Sequence, residues 1–201
     1  MVRFLAALIF PFFLASAPVS MKQNVAILAD DGSPMCGAVL IAPNEVLTAA
    51  HCVETDDLPV VRCNGEDIPA ELTRRDADED LATLELVMDC ANASPSPLSV
   101  VADSNPEVGT EVWAIGYPLG YAAMSKGIVS AYEPVSLPPY DGAHHKPKVF
   151  LKTDLGIDPG NSGGGMFNAA GELVGICSMS RGSFGLYTPA SRIKKFLGPQ
   201  S

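Results

Sequence analysis

Gly160-Asn161-Ser162-Gly163-Gly164 follows Asp158-Pro159 in the last quarter of the chain. A serine set among three glycines is poor material for a helix or a strand, since glycine loses the most conformational freedom on folding. Glycine also allows backbone paths and close approaches that a side chain would block. A turn of this composition can expose Ser162 while aiming neighbouring N–H groups at one point. Acyl transfer needs both: an accessible nucleophile, and donors for the oxyanion of the transition state. The same five residues also suit a plain Gly/Asn/Ser surface loop, so the remainder of the chain has to decide.

Two further stretches bear on the choice. Val46-Leu47-Thr48-Ala49-Ala50-His51-Cys52 is an apolar run that ends in a histidine beside a cysteine. Asp80-Leu81-Ala82-Thr83-Leu84-Glu85-Leu86 puts a carboxylate at the head of an apolar segment. A nucleophilic serine needs a base, and the base needs a carboxylate to fix its tautomer and stabilise the imidazolium. Asp76, Asp78 and Glu79 make the neighbourhood of Asp80 an acidic cluster, read as a solvated loop. Asp80 is the choice because it alone leads into Leu-Ala and the apolar run, with Asp78 as the fallback. Gly160-x-Ser162-x-Gly164 also satisfies the short serine motif of α/β-hydrolases, but that fold wants the order Ser, Asp, His. Here the order is His51, Asp80, Ser162.

With these residues the chain resembles serine proteases of the chymotrypsin/trypsin fold. Ala114-Ile115-Gly116-Tyr117-Pro118, Gly127-Ile128-Val129-Ser130-Ala131 and Gly171-Glu172-Leu173-Val174-Gly175-Ile176 extend the match. They make it most similar to bacterial high-temperature-requirement (HtrA/Deg-type) peptidase domains, over roughly residues 25–197. The resemblance implies an all-β fold of two six-stranded antiparallel Greek-key barrels, with the active site between them and a short C-terminal helix. It implies a serine endopeptidase in which His51, Asp80 and Ser162 are catalytic and the N–H groups of Gly160 and Ser162 form the oxyanion hole. No cofactor or metal is implied, and the partner is a polypeptide substrate. The alternative is a catalytically weak homologue that binds polypeptides. Deg-type proteins usually carry a C-terminal PDZ module, and this chain stops just after its closing helix, so PDZ-gated activation is not expected.

The same resemblance places Gly156, six residues before the nucleophile, at the base of the specificity pocket. Ser178, Met179 and Ser180 then form the pocket wall, with Ser178 also poised to support Asp80. Without a carboxylate at the base, a small or medium uncharged residue is expected on the acyl side of the cut, while Arg181 is the feature that favours an acidic one. Asn161 replaces the aspartate that in trypsin-like zymogens pairs with a freed α-amino group, so no N-terminal trimming is expected for activity. Cys36 and Cys52 match the disulfide that closes the histidine loop in trypsin-like proteases. A bridge of that span is worth roughly 3 kcal/mol in the chain-entropy model. Cys63 and Cys90 are the remaining pair before the second half, and Cys177 is left as a buried free thiol.

Composition agrees with this reading. Seventeen prolines and eighteen glycines among 201 residues, with many short apolar runs, indicate an all-β chain with frequent turns. A formal charge of −10 argues against nucleic acid or an anionic membrane as partner. Arg3, the apolar run Phe4 to Leu14 and Ala15-Ser16-Ala17 fit a secretory signal, taken as residues 1–20 with a cut between Ala15 and Met21, an uncleaved membrane anchor being the lesser alternative. The mature chain, 21–201, is then secreted or periplasmic, with no membrane contact once the signal is removed. Its first barrel is expected at about 21–100, its second at about 107–190, and a closing helix at 190–197. Basic residues 192, 194 and 195 read as a solvated helix face. Tyr140, His144 and His145 lie in a proline-rich loop that could border the substrate cleft, with metal binding as the lesser alternative. Nothing in the sequence sets the oligomeric state.

Overall fold

Among the described residues, strands β1 to β12 and one helix, α1, make up the regular structure. The computed structural model describes residues 24–54, 58–90, 101–136 and 146–198. Residues 1–20, expected to be a signal, and the loop holding Tyr140, His144 and His145 lie outside them. The first barrel uses β1 (Asn24–Leu28), β2 (Pro34–Ala42), β3 (Glu45–Thr48), β4 (Val60–Cys63), β5 (Glu66–Asp76) and β6 (Leu81–Leu86). It closes in the order β1-β2-β3-β6-β5-β4. The second uses β7 (Glu111–Gly116), β8 (Ala123–Val135), β9 (Lys148–Thr153), β10 (Gly165–Phe167), β11 (Leu173–Arg181) and β12 (Phe184–Pro189). It closes in the order β10-β11-β12-β9-β8-β7, and α1 (Ala190–Leu197) follows directly. All ladders within the two barrels are antiparallel.

Why the barrels meet where they do is visible in β2. Ala38 and Leu40 point into the core of the first barrel, with Val46, Ala82 and Leu84. Val39 and Ile41, on the opposite face, join an apolar cluster shared with the second barrel, which includes Ile115, Met166 and Phe167. A strand has a period of two, so a continuous apolar run serves two cores at once. Gly37 lies on the shared face, where a Cβ would come within 2.8 Å of the Gly164 Cα. The missing side chain lets the 160–164 turn close onto β2.

The β4–β5 hairpin turns at Asn64-Gly65, with φ of 52° and 88°. Two successive positive values are what a two-residue hairpin with matched twist requires, and Asn-Gly supplies them. Disulfides join Cys36 to Cys52 and Cys63 to Cys90, with Cα–Cα separations of 6.1 and 5.9 Å. Cys177 is free and buried.

Candidate active site

His51 sits on a single 3-10 turn, Ala50–Cys52, just beyond β3. The turn is stapled to β2 through Cys52 and Cys36. It is also braced by Arg75, whose Nε donates to the carbonyls of Ala50 and Val53, both at 3.1 Å. Asp80 meets the imidazole from the start of β6. His51 Nδ1 lies 2.9 Å from Asp80 Oδ1 and 3.0 Å from Oδ2, and the His51 main-chain N–H donates to Oδ1 at 3.1 Å. A third donor, the Ser178 hydroxyl, reaches Oδ2. An ionised carboxylate only accepts, so Nδ1 carries the proton and Nε2 of the neutral ring is left as a base. The Asp80 charge is buried at 3% exposure, a costly state that these three donors offset. Asp78, the fallback, is exposed.

The Ser162 turn is held from three directions. Its own hydrogen bonds run from Asn161 N–H to Asp158 O (3.1 Å) and from Gly164 N–H to Asn161 O (3.0 Å). From β2, Gly37 N–H donates to the Ser162 carbonyl at 2.7 Å. From β11, the Cys177 carbonyl accepts from Gly163 N–H at 2.8 Å, and Cys177 N–H donates to Gly164 O at 2.9 Å. The second tether ends one residue from Ser178, which holds Asp80. The first ends one residue from Cys36, which is bonded to the neighbour of His51. Ser162 therefore lies between the two strands that fix its prospective partners. Its Oγ hydrogen-bonds to none of the described residues; the backbone is the part that the fold pins.

Gly160 has φ of +100°, and a Cβ there would lie 2.0 Å from the Tyr117 carbonyl oxygen. Tyr117 N–H donates to Gly160 O at 3.1 Å and Leu119 N–H to Pro159 O at 2.9 Å. The segment after β7 thus turns the Gly160 carbonyl to one side and its N–H to the other. Among the described residues, the N–H groups of Gly160 and Ser162 donate to no other group. Asn161 holds the turn through its main chain, while its side chain packs where a Cβ on Gly116 would stand.

The residues assigned to the specificity pocket are dispersed in role. Gly156 is exposed, with no atom within 4 Å of where a Cβ would be. Ser178 is buried and committed to Asp80, so its side chain does not line the cleft. Met179 packs against the small cluster of Phe150 and Leu186, and Ser180 is exposed. Arg181 is paired with Glu133, which also binds Lys152 at 2.9 Å. Arg181 is thus tied to Glu133 rather than standing alone, although its side chain stays 58% exposed. A residue the motifs did not flag is Ile157, whose side chain comes within 2.7 Å of a Cβ position on Gly185 in β12. Behind the site, Cys177 lies opposite Tyr187 across the β11–β12 ladder, and burial, with the nearby Asp80 charge, pushes the Cys177 thiol well above its ordinary value.

Two readings of charge are corrected here. The acidic cluster is not a solvated loop throughout: the Asp76 carboxylate accepts from Glu79 N–H at 3.0 Å, and Glu79 and Asp80 turn inward. Arg192 is not part of a solvated helix face, since it pairs with Glu79. The Glu79–Arg192 pair has no local sequence signal, because its partners are 113 residues apart in the chain.

A family model described as the trypsin-like peptidase domain matches residues 36–176. The chain belongs to that family. The peptidase domain is 36% identical over 145 residues to a probable periplasmic serine endoprotease, DegP-like, of Pseudomonas savastanoi pv. phaseolicola, covering 71% of this chain and 28% of that one. It is 35% identical over 148 residues to the serine endoprotease DegS of Haemophilus influenzae, covering 73% of this chain and 41% of that one. It therefore spans well under half the length of these curated relatives. A crystal structure of an M. tuberculosis protease in its active form superposes with a TM-score of 0.74 at 20% identity, covering 88% of this chain and 80% of that one. At that identity the likeness speaks for the fold alone.

Proposed function

We propose that this chain is a secreted or periplasmic serine endopeptidase that cuts polypeptides through Ser162, His51 and Asp80. The observation that carries the reading is the cradle around Asp80, in which three donors hold a buried carboxylate against His51 Nδ1 and leave Nε2 basic. Substrate binding would bring Ser162 Oγ to Nε2, a contact that often tightens only in the bound complex. The serine oxygen attacks the scissile carbonyl and its proton passes to His51. The oxyanion is received by the N–H groups of Gly160 and Ser162. His51 then gives the proton to the leaving amine, and water releases the acyl-enzyme by the same route in reverse.

Substrate preference is for a small or medium uncharged residue before the cut. Gly156 offers no carboxylate, and Arg181 is paired with Glu133. A buried lysine or arginine would lack a partner, which is costly. Export is supported by the signal-like N-terminus and by relatives named as periplasmic.

The test is to treat the purified protein with a fluorophosphonate probe and then digest a peptide library. Covalent labelling at Ser162 with cuts after small uncharged residues is expected. An unlabelled serine would identify a polypeptide-binding homologue instead. Cuts dominated by Lys or Arg would overturn the specificity.

A further inference from the structure

Asp80 adopts φ of +52°. A non-glycine residue in that region costs on the order of 1 kcal/mol and persists only where its surroundings over-determine it. The residue just before it supplies the constraint. Glu79 Oε1 accepts from Lys148 Nζ at 2.6 Å and Oε2 accepts from Arg192 Nε at 2.5 Å. The Glu79 carbonyl accepts from Arg192 Nη2 at 3.1 Å and from Thr188 Oγ1 at 3.2 Å. Every one of these donors belongs to the second barrel or α1, while Glu79 lies in the β5–β6 turn of the first barrel.

Arg192 is itself immobilised. Its Nη1 donates to the Val149 carbonyl at 3.2 Å, and its guanidinium lies 4.6 Å above the ring of Phe150, which is fully buried. The side chains of Glu79 and Arg192 are 13% and 14% exposed, so this pair is shielded rather than a screened surface bridge. A fork that grips both the carboxylate and the carbonyl of one residue fixes the orientation of the next peptide plane. That next residue is the one that holds His51.

We propose that Glu79, gripped by Arg192 and Lys148, is a positioning residue that sets the Asp80 carboxylate against His51, so that correct docking of the second barrel and α1 is a condition for catalysis. This rests on the peptidase function proposed above. Releasing Glu79 lets the 79–80 peptide relax toward an ordinary backbone conformation and draws the carboxylate away from Nδ1. Substrate contacts are untouched, so the effect falls on kcat rather than KM.

The test uses a peptide found in the library digest and the mature protein. Glu79→Ala is expected to lower kcat roughly tenfold with KM within about twofold, and Arg192→Ala to do the same. In an Asp80→Asn background, Glu79→Ala is expected to add nothing, because its effect runs through Asp80. Lys194→Ala, which removes the exposed Lys194–Asp103 pair from the same helix, should leave kcat unchanged. If Glu79→Ala fails to fold, Glu79→Gln, which keeps the shape and one acceptor, reads the same quantity with a drop of a few-fold. An unchanged kcat, a rise in KM alone, or an undiminished loss in the Asp80→Asn background overturns the proposal. An inactive wild type would instead overturn the peptidase reading, and this proposal with it.

Discussion

Replacing Gly163 by alanine tests how the Ser162 turn is seated. Gly163 has φ of +76°, and a Cβ there would lie 2.1 Å from Thr48 Oγ1 and 2.2 Å from the Gly37 carbonyl oxygen. Those two atoms are themselves joined by a buried 2.8 Å hydrogen bond from the Thr48 hydroxyl. A left-handed alanine costs about 1–2 kcal/mol. Breaking the buried hydrogen bond costs about 1–3 kcal/mol, and forcing a methyl into a filled site a further 1–3 kcal/mol or so. The total, about 3–8 kcal/mol, is a large part of the roughly 5–15 kcal/mol typical of a folded domain. Gly65→Ala is the control, since Gly65 has φ of +88° with nothing within 4 Å of a Cβ, and bears only the backbone share. Urea unfolding on a Ser162→Ala background, which prevents self-digestion, compares the two. Gly163→Ala is expected to unfold at least about 1 M urea earlier than Gly65→Ala. Equal midpoints would mean that the turn is not wedged between β2 and β3, and that the account of how Ser162 is located is wrong.

Ser178→Ala should lower kcat by less than Asp80→Asn, for which about a 10⁴-fold loss is expected, because Asp80 keeps both contacts to His51; a steady-state series with both variants checks the order. It should also destabilise the fold by about 1.5–3 kcal/mol, the worth of a hydrogen bond to a charged group, read from a denaturation curve. Cys177, buried and with its thiol pushed up, should resist iodoacetamide at pH 8 in the native protein and react fully in denaturant, as mass spectrometry would show. Burial opposes ionisation of Glu79, but the hydrogen bonds and charges of Lys148 and Arg192 outweigh it and hold the carboxyl below its ordinary value. Its contribution to stability is therefore complete above the ordinary glutamate value of about 4.3 and is lost as pH falls through the lower, folded value. Thermal melts below about pH 4 should bring wild type and Glu79→Gln together, whereas a gap that widens with acid would refute the assignment.

The residues proposed to carry the chemistry stand out in the sequence because each has a local signal. Glycines around Ser162 mark a turn that side chains cannot make, the apolar run into His51 marks a strand end, and Asn64-Gly65 marks a hairpin whose φ values follow from the residues themselves. The apolar run of β2 was likewise written in the chain, though not the fact that its two faces serve different cores. What the sequence left weakly decided were choices between chemically equal neighbours, Asp80 being preferred to Asp78 only for the apolar run that follows it. Asp78 and Asp80 are both aspartates on one turn, and only the folded chain brings the second against His51. Ser178 could line a cleft or hold a carboxylate, Arg181 could face substrate or Glu133, and basic residues on a helix could be solvated or bound. Arg192 and Glu79 are 113 residues apart, and Ile157, in the loop after β9, meets Gly185 in β12. Local propensity acts over a few residues, set by backbone sterics and side-chain period. Partners separated by a hundred residues are chosen only when closed barrels dock, because burial then makes an unmatched charge too costly to leave alone.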